Sequence, residues 1–235
     1  MGHSAAAEEI RRFDALASEW WNPDGPMRPL HRMNPLRVGW ITDRIRARHP
    51  DLSGVRLLDV GCGGGLAAEA LARRGLAVLG LDAAGQAIEA ARAHAAGQDL
   101  PLTYRVGTPE ELRAEGRRFT IVSALEVIEH VPDPGAFLAT LAALLEPGGL
   151  LFVSTLNRTA RSFLTAKVGA EYVLRWLPVG THDWRKFIPP VELAAGLRHA
   201  GLRVADITGM VLDPLTGRWK TSRDLSVNYI VEAAA

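Results

Sequence analysis

The sequence predicts an α/β fold: a mostly parallel, seven-stranded sheet with helices on both faces and an antiparallel hairpin at one edge. Three observations carry this. From Val55 onward, short apolar runs alternate with helical patterns of about 10–15 residues, the signature of βαβ units. The runs are nearly continuous in apolar residues, as strands covered on both faces are. The last third of the chain breaks the rhythm and ends in a strand pair.

Val55 to Val60 reads as a buried strand that runs into a glycine cluster. Leu66 to Arg74 reads as a helix stopped by Gly75, which can take the left-handed conformation that ends helices. Leu76 to Leu81 is a second strand, ending at Asp82, and Ala84 to Ala96 is a helix stopped by Gly97. Leu102 to Val106 and Phe119 to Ala124 are the third and fourth strands. Pro134 to Leu145 is a helix, Pro147-Gly148-Gly149 a turn, and Leu150 to Thr155 the fifth strand. Val191 to His199 is a helix. Leu202 to Thr208 and Leu225 to Val231 form the final strand pair, with a turn at Thr216-Gly217. Ahead of this lies a short amphipathic stretch around Phe13, Leu16 and Trp20, then a helix from about Pro35 to Arg48.

One domain is expected over 1–235: an N-terminal helical segment (1–48), a ligand-binding core (49–155), an insertion (156–188) and a C-terminal helix with strands (189–235). Lys+Arg is 27 and Asp+Glu is 26, so no basic excess marks a nucleic-acid binder. The single cysteine, Cys62, excludes an intrachain disulfide and suits a reducing cytosol. The longest uncharged run, Pro134 to Leu145, is too short to span a bilayer. Met1 to Asp14 lacks the apolar core of a signal peptide, so a cytoplasmic location is expected.

Asp59-Val60-Gly61-Cys62-Gly63-Gly64-Gly65 joins the first strand to the first following helix. Glycines let the chain turn tightly and let a ligand approach the backbone. In an open parallel sheet this crevice is the ligand site. A side chain at Gly63 is therefore expected to obstruct the ligand, or to strain the loop if the residue takes positive φ. Asp82, 21 residues after Gly61, is placed to accept the two hydroxyls of a ribose. The dinucleotide pattern fails from Gly61, because its last position is Leu66, but Gly63 to Ala68 fits G-x-G-x-x-A. Spacing alone leaves both ligands open. Asp59 would repel a pyrophosphate and suits a ligand that carries an ammonium and a sulfonium.

With these residues in view, the chain resembles the class I S-adenosylmethionine-dependent methyltransferases, whose Rossmann-like fold it is then expected to share. Leu58 to Gly65, Asp82 and Leu145-Glu146-Pro147-Gly148-Gly149 carry that likeness. More narrowly it is similar to the ubiquinone-biosynthesis O-methyltransferases. Phe13 with Trp20-Trp21, Pro29 to Arg37, Glu126 to Pro134 and Ser154 to Arg158 carry this second likeness. So do Val168 to Tyr172, Gly180 to Trp184 and Asp224 to Tyr229. The resemblance implies methylation of hydroxyls on a polyprenylated phenol and on demethylubiquinol. It implies S-adenosylmethionine contacts at Arg37, Gly61, Asp82 and Leu125, and association with a ubiquinone-biosynthesis protein complex. Arg37 makes physical sense, since its fork can bind the methionine carboxylate. Competing readings are a nicotinamide-dependent oxidoreductase, a non-catalytic scaffold, and a methyltransferase for another small acceptor.

A phenol has a pKa near about 10 and needs a base or a Lewis acid at neutral pH. Glu126, Glu129 and His130 follow the fourth strand at spacings i, i+3 and i+4, which share one face of a helical turn. Two carboxylates and an imidazole suit a hard divalent cation, and the resemblance implies magnesium there. His130 as a metal-free base is the alternative. The insertion 156–188 carries six basic residues, Arg158, Arg161, Lys167, Arg175, Arg185 and Lys186, against Glu171 and Asp183. Leu164, Val168, Tyr172 and Trp176 recur every four residues. This mixture suits either an anionic membrane surface, with peripheral attachment to the inner face of the cytoplasmic membrane, or a lid over the active site.

Overall fold

The computed structural model describes residues 7–164, 184–213 and 216–235. Its strands are β1 (Arg56–Val60), β2 (Ala77–Asp82), β3 (Leu102–Val106), β4 (Phe119–Leu125), β5 (Leu145–Leu156), β6 (Arg203–Leu212), β7 (Trp219–Ser222) and β8 (Asn228–Ala234). The helices are α1 (Ala7–Ala15), α2 (Arg28–Arg48), α3 (Leu66–Ala72), α4 (Gly85–Ala95), α5 (Pro109–Ala114), α6 (Pro134–Ala143), the single turn α7 (Ala160–Ser162) and α8 (Pro190–His199). The strands form one sheet in the order β3-β2-β1-β4-β5-β8-β6-β7. The first five run parallel, while β8, β6 and β7 are antiparallel to their neighbours.

The sheet has eight strands among the described residues, where seven were expected. The extra one is β7, four partly exposed residues including Lys220, which show no apolar run to read. It pairs with β6 and makes the edge hairpin, whereas β8 inserts between β5 and β6. The Pro147-Gly148-Gly149 turn is absorbed into β5. There the register shifts between Phe119 and Ile121 of β4, and the offset accommodates the extra residues. Helix α2 starts at Arg28, with Pro29 in its first turn, and carries Pro35 inside it, so Pro35 does not mark its start. Proline removes one helical hydrogen bond, and burial of Val38, Ile41 and Ile45 offsets that loss. Helix α5 is too short to show a period in sequence, and Glu111, which accepts the Thr108 N–H (3.1 Å), caps its start.

One core lies on each face of the sheet. Ile41, Ile45, Leu57, Leu71 and Phe152 pack with α2 and α3 on one side. Leu58, Val122, Phe137, Leu141 and Leu197 pack with α6 and α8 on the other. No helix among the described residues is long and apolar enough to cross a membrane.

Tyr229 of β8 is fully buried, and its hydroxyl donates to the Ile188 carbonyl (2.7 Å). This ties the segment that enters α8 to the sheet. Tyr229→Phe leaves that buried carbonyl one partner short. The expected loss is about 1–2 kcal/mol of stability. Urea unfolding should show a lower midpoint at unchanged slope.

Candidate active site

The parallel register brings the expected cofactor positions together. Val60 at the end of β1 lies opposite Leu81 of β2 and Ala124 of β4. The next residue on each strand is Gly61, Asp82 and Leu125, so all three stand at one level on the C-terminal edge of the sheet. The chain runs outward from β1 to β3, then returns to β1's other side as β4. The crevice opens at that switch point.

Asp82 organises the loop above β1. Its Oδ2 accepts the Gly63 N–H (2.8 Å) and its Oδ1 accepts the Ala84 N–H (2.8 Å). Each carboxylate oxygen keeps a further lone pair for a ligand hydroxyl. Burial raises the pKa of Asp82, and the two backbone donors oppose that rise. Gly61 (φ 67°) and Gly63 (φ 52°) both take the left-handed conformation. A Cβ on Gly61 would overlap Val127, and one on Gly63 would overlap the Trp20 ring. The positive φ at Gly63 means that a side chain there would strain the loop, and it would also meet an indole of this same chain.

Arg37 and Asp59 are buried beside this loop. Arg37 Nε donates to Asn34 Oδ1 (3.0 Å), and Asn34 in turn donates to the Leu66 carbonyl (2.8 Å). Burial lowers the Arg37 pKa, and the charges of Glu126 and Asp59 oppose this. Its Nη1 is buried with no hydrogen-bond partner among the described residues. Asp59 Oδ1 accepts the Ser123 hydroxyl (2.7 Å). Burial pushes the Asp59 carboxyl up to about 6, against the Ser123 hydrogen bond and the Arg37 charge.

The expectation that Glu126, Glu129 and His130 share a helical face is corrected. Glu126 sits at φ 59°, the only described non-glycine residue with positive φ, and the 3₁₀ turn begins after it at Ile128. Helical spacing does not hold across such a turn, which costs of order 1–3 kcal/mol of strain. Glu126 faces the strand ends instead. Its Oε1 accepts the Ser154 hydroxyl (2.6 Å), and Asn228 Nδ2 reaches both its oxygens (3.2 and 3.1 Å). Glu129 is buried and accepts the Thr155 hydroxyl (2.8 Å). Burial, then the nearby Glu126 charge, pushes Glu129 up to about 7, with His130 and Thr155 opposing. His130 turns the other way: its Nδ1 lies 3.3 Å from Glu9 of α1, and its ring meets Phe13 edge-on. The described residues hold no group of three His, Cys, Asp or Glu side chains arranged for a metal ion, so the expected three-ligand set is not assembled. Two adjacent carboxylates remain, together with an unpartnered buried oxygen, Oδ1 of Asn228.

Sequence reasoning missed Ser123 and Glu9. Ser154, Thr155, Asn228 and Trp21 entered only through the resemblance, with no role attached, and Trp20 through it and as part of an amphipathic stretch. Of the 164–176 stripe, Leu164 is described and exposed, and the rest lies outside the described residues.

A carboxyl titrating near 6 in the fold and near 4 when unfolded binds more protons in the folded state between those values. Its contribution to stability is therefore lost as pH rises through that window. Asp59→Asn removes this dependence. The variant should be more stable than the parent by about 1–3 kcal/mol at pH 8, with the difference shrinking toward pH 4. Denaturant titrations at several pH values check this.

A methyltransferase-domain family model matches residues 30–207. The chain is 51% identical over 239 residues to the ubiquinone biosynthesis O-methyltransferase of Methylobacterium sp. (strain 4-46), covering 99% of this chain and 96% of that one. It is 52% identical over 230 residues to the protein of the same name from Cereibacter sphaeroides (strain ATCC 17025 / ATH 2.4.3), covering 94% and 93%. Among solved structures it superposes on magnesium protoporphyrin IX methyltransferase from Synechocystis PCC 6803 with bound S-adenosylmethionine, with a TM-score of 0.63, 20% identity and 99% of each chain covered. The fold is that of the class I methyltransferases, and the chain belongs to the ubiquinone biosynthesis O-methyltransferases.

Proposed function

We propose that this S-adenosylmethionine-dependent O-methyltransferase methylates hydroxyls of polyprenylated hydroxyphenol and demethylubiquinol, with the cofactor bound across Arg37, Asp59, Gly61, Gly63, Asp82 and Leu125. The observation that carries the reading is the carboxylate pair of half-buried Glu126 and buried Glu129, which begins one residue beyond the level of Gly61, Asp82 and Leu125. Arg37, with an unmet buried donor, suits the methionine carboxylate. Asp59 suits the cationic end of the cofactor and opposes a pyrophosphate, which disfavours the nicotinamide alternative. Asp82 suits the ribose diol.

In the reaction the phenolic oxygen attacks the methyl carbon in line with the carbon–sulfur bond. That bond breaks and its electron pair stays on sulfur, leaving S-adenosylhomocysteine. The phenolic proton needs an acceptor. Glu129, held near neutrality by burial and by Glu126, is matched to that task at physiological pH. Ser154 and Asn228 hold Glu126 in place, and Thr155 holds Glu129.

A second reading has a specific observation behind it. The two carboxylates and the unpartnered Asn228 Oδ1 form an oxygen-rich donor set, which suits magnesium, with His130 joining once it leaves Glu9. Bound there, the ion would lower the phenol's pKa as a Lewis acid. His130 in the proton-acceptor role is the remaining variant.

We also infer peripheral contact with an anionic membrane surface through 156–188 and its neighbours. Phe163, Leu164 and Val191 are exposed apolar side chains near Arg158, Arg161, Arg185 and Lys186. Arg158 pairs with Glu192, Arg161 with Asp224 and Lys186 with Glu9, which tempers the local field.

Labelled methyl should pass from S-adenosylmethionine to a demethylated quinol. Full activity after chelation with loss in Glu129→Gln identifies the carboxylate base, whereas loss on chelation with recovery in magnesium identifies the metal. No transfer to any quinol sinks the substrate assignment. Asp82→Ala should weaken S-adenosylhomocysteine binding by about 1–3 kcal/mol in calorimetry. Sedimentation with anionic vesicles should carry the protein down at low salt and release it at high salt. The double change Leu164→Asp with Val191→Asp should leave it in the supernatant.

A further inference from the structure

The N-terminal segment reaches across the cofactor crevice and touches both of its sides. At one end, Asp14 Oδ1 accepts the Gln86 N–H (2.9 Å) at the start of α4. The Trp21 indole donates to the Gly64 carbonyl (2.9 Å) and stacks on His94 with ring centroids 3.3 Å apart. Trp20 lies against Gly63, close enough that a Cβ there would overlap its ring. At the other end Glu9 bridges His130 (3.3 Å) and Lys186 (3.7 Å). The segment thus spans from α4, over the glycine loop, to the turn that follows β4.

This closed arrangement leaves hydrogen-bonding capacity unmet. Trp20 is only 6% exposed, yet its Nε1 is buried with no partner among the described residues. Arg37 Nη1 is buried and, among the described residues, unpartnered too. An indole N–H can only donate, and burying it without an acceptor is costly. A ligand rich in acceptor oxygens in the crevice would satisfy both donors at once.

We propose that residues 9–21 form a cover that closes on bound S-adenosylmethionine, with Trp20 Nε1 donating a hydrogen bond to the cofactor and Glu9 latching the far end. The proposal rests on the cofactor placement given above. Closure before binding buries the Trp20 donor unmet, whereas closure after binding satisfies it, so ligand and cover stabilise each other. The latch to His130 also places the cover against the acceptor side, so cofactor release requires the Glu9 contacts to break.

Limited proteolysis tests this on the full chain, because Arg11 is an exposed tryptic site within α1. Saturating S-adenosylhomocysteine should slow cleavage at Arg11 by about 5-fold or more, since cleavage tracks the open population. Glu9→Gln should restore part of that cleavage and speed ligand release in stopped-flow fluorescence. Trp20→Phe keeps a ring against Gly63 and removes the donor. It should bind S-adenosylhomocysteine roughly 3- to 10-fold more weakly, the loss of one hydrogen bond. Its unliganded melting temperature should be unchanged or higher, because the unmet donor is gone. Cleavage at Arg11 that ignores saturating ligand overturns the cover. Undiminished affinity in Trp20→Phe overturns the hydrogen bond. If that variant melts lower, the protection of wild-type protein decides alone. Wild-type protein that binds no S-adenosylhomocysteine in calorimetry defeats the cofactor reading itself, a result distinct from the others.

Discussion

The hydrogen bond from the Gly63 N–H to Asp82 is the contact on which the site depends. It joins the loop after β1 to the end of β2, where the parallel register has already set Val60 beside Leu81. A slip of one residue would turn every side chain of the strand to the other face, and both faces here are packed against helices. The two cores therefore fix the register, and the register fixes where Gly61, Asp82 and Leu125 stand. The loop can make the turn because Gly61 and Gly63 accept positive φ.

Around that loop the protein accepts an unfavourable concentration of charge. Arg37, Asp59 and Glu129 are buried, and burial is the main influence on the ionisation of each. Isolated, such groups would be strongly destabilising, so each is hydrogen-bonded: Arg37 donates to Asn34, while Asp59 and Glu129 accept from Ser123 and Thr155. Glu126 adds a strained backbone to the same region. Replacing these groups with neutral isosteres would favour the fold at the expense of the proposed chemistry, the usual opposition between stability and an active site.

Much of this was legible in the sequence, and what was missed follows a physical pattern. Strands β1 to β5, the glycine turn and Asp82 were readable because apolar runs, glycine and a strand-end acid are local signals. Strand β7 was not, because Trp219-Lys220-Thr221-Ser222 is polar and short and owes its strand state to pairing with β6. The grouping of Glu126, Glu129 and His130 relied on helical spacing, which the left-handed Glu126 breaks. The partners that orient the carboxylates carry no local signal. Asn228 is 102 residues away from Glu126, brought there only by the antiparallel insertion of β8. Thr155 reaches Glu129 because β5 lies beside β4. Gly63 was singled out correctly, but its constraint includes an indole 43 residues earlier that spacing does not reveal.

The charges also connect the two halves of the proposed reaction. Glu126 acts on Arg37 from one side and on Glu129 from the other, so cofactor and acceptor groups share one electrostatic neighbourhood. A sulfonium in the crevice is a positive charge, which favours the ionised form of nearby carboxyls. Methyl transfer removes that charge, because the product sulfur is neutral. The carboxyl's affinity for a proton then rises at the moment a phenolic proton must be held. With Glu129 as the acceptor, the same step that makes the ether strengthens the grip on the proton. The low-dielectric burial that raises its pKa in the first place keeps that change from being screened by water.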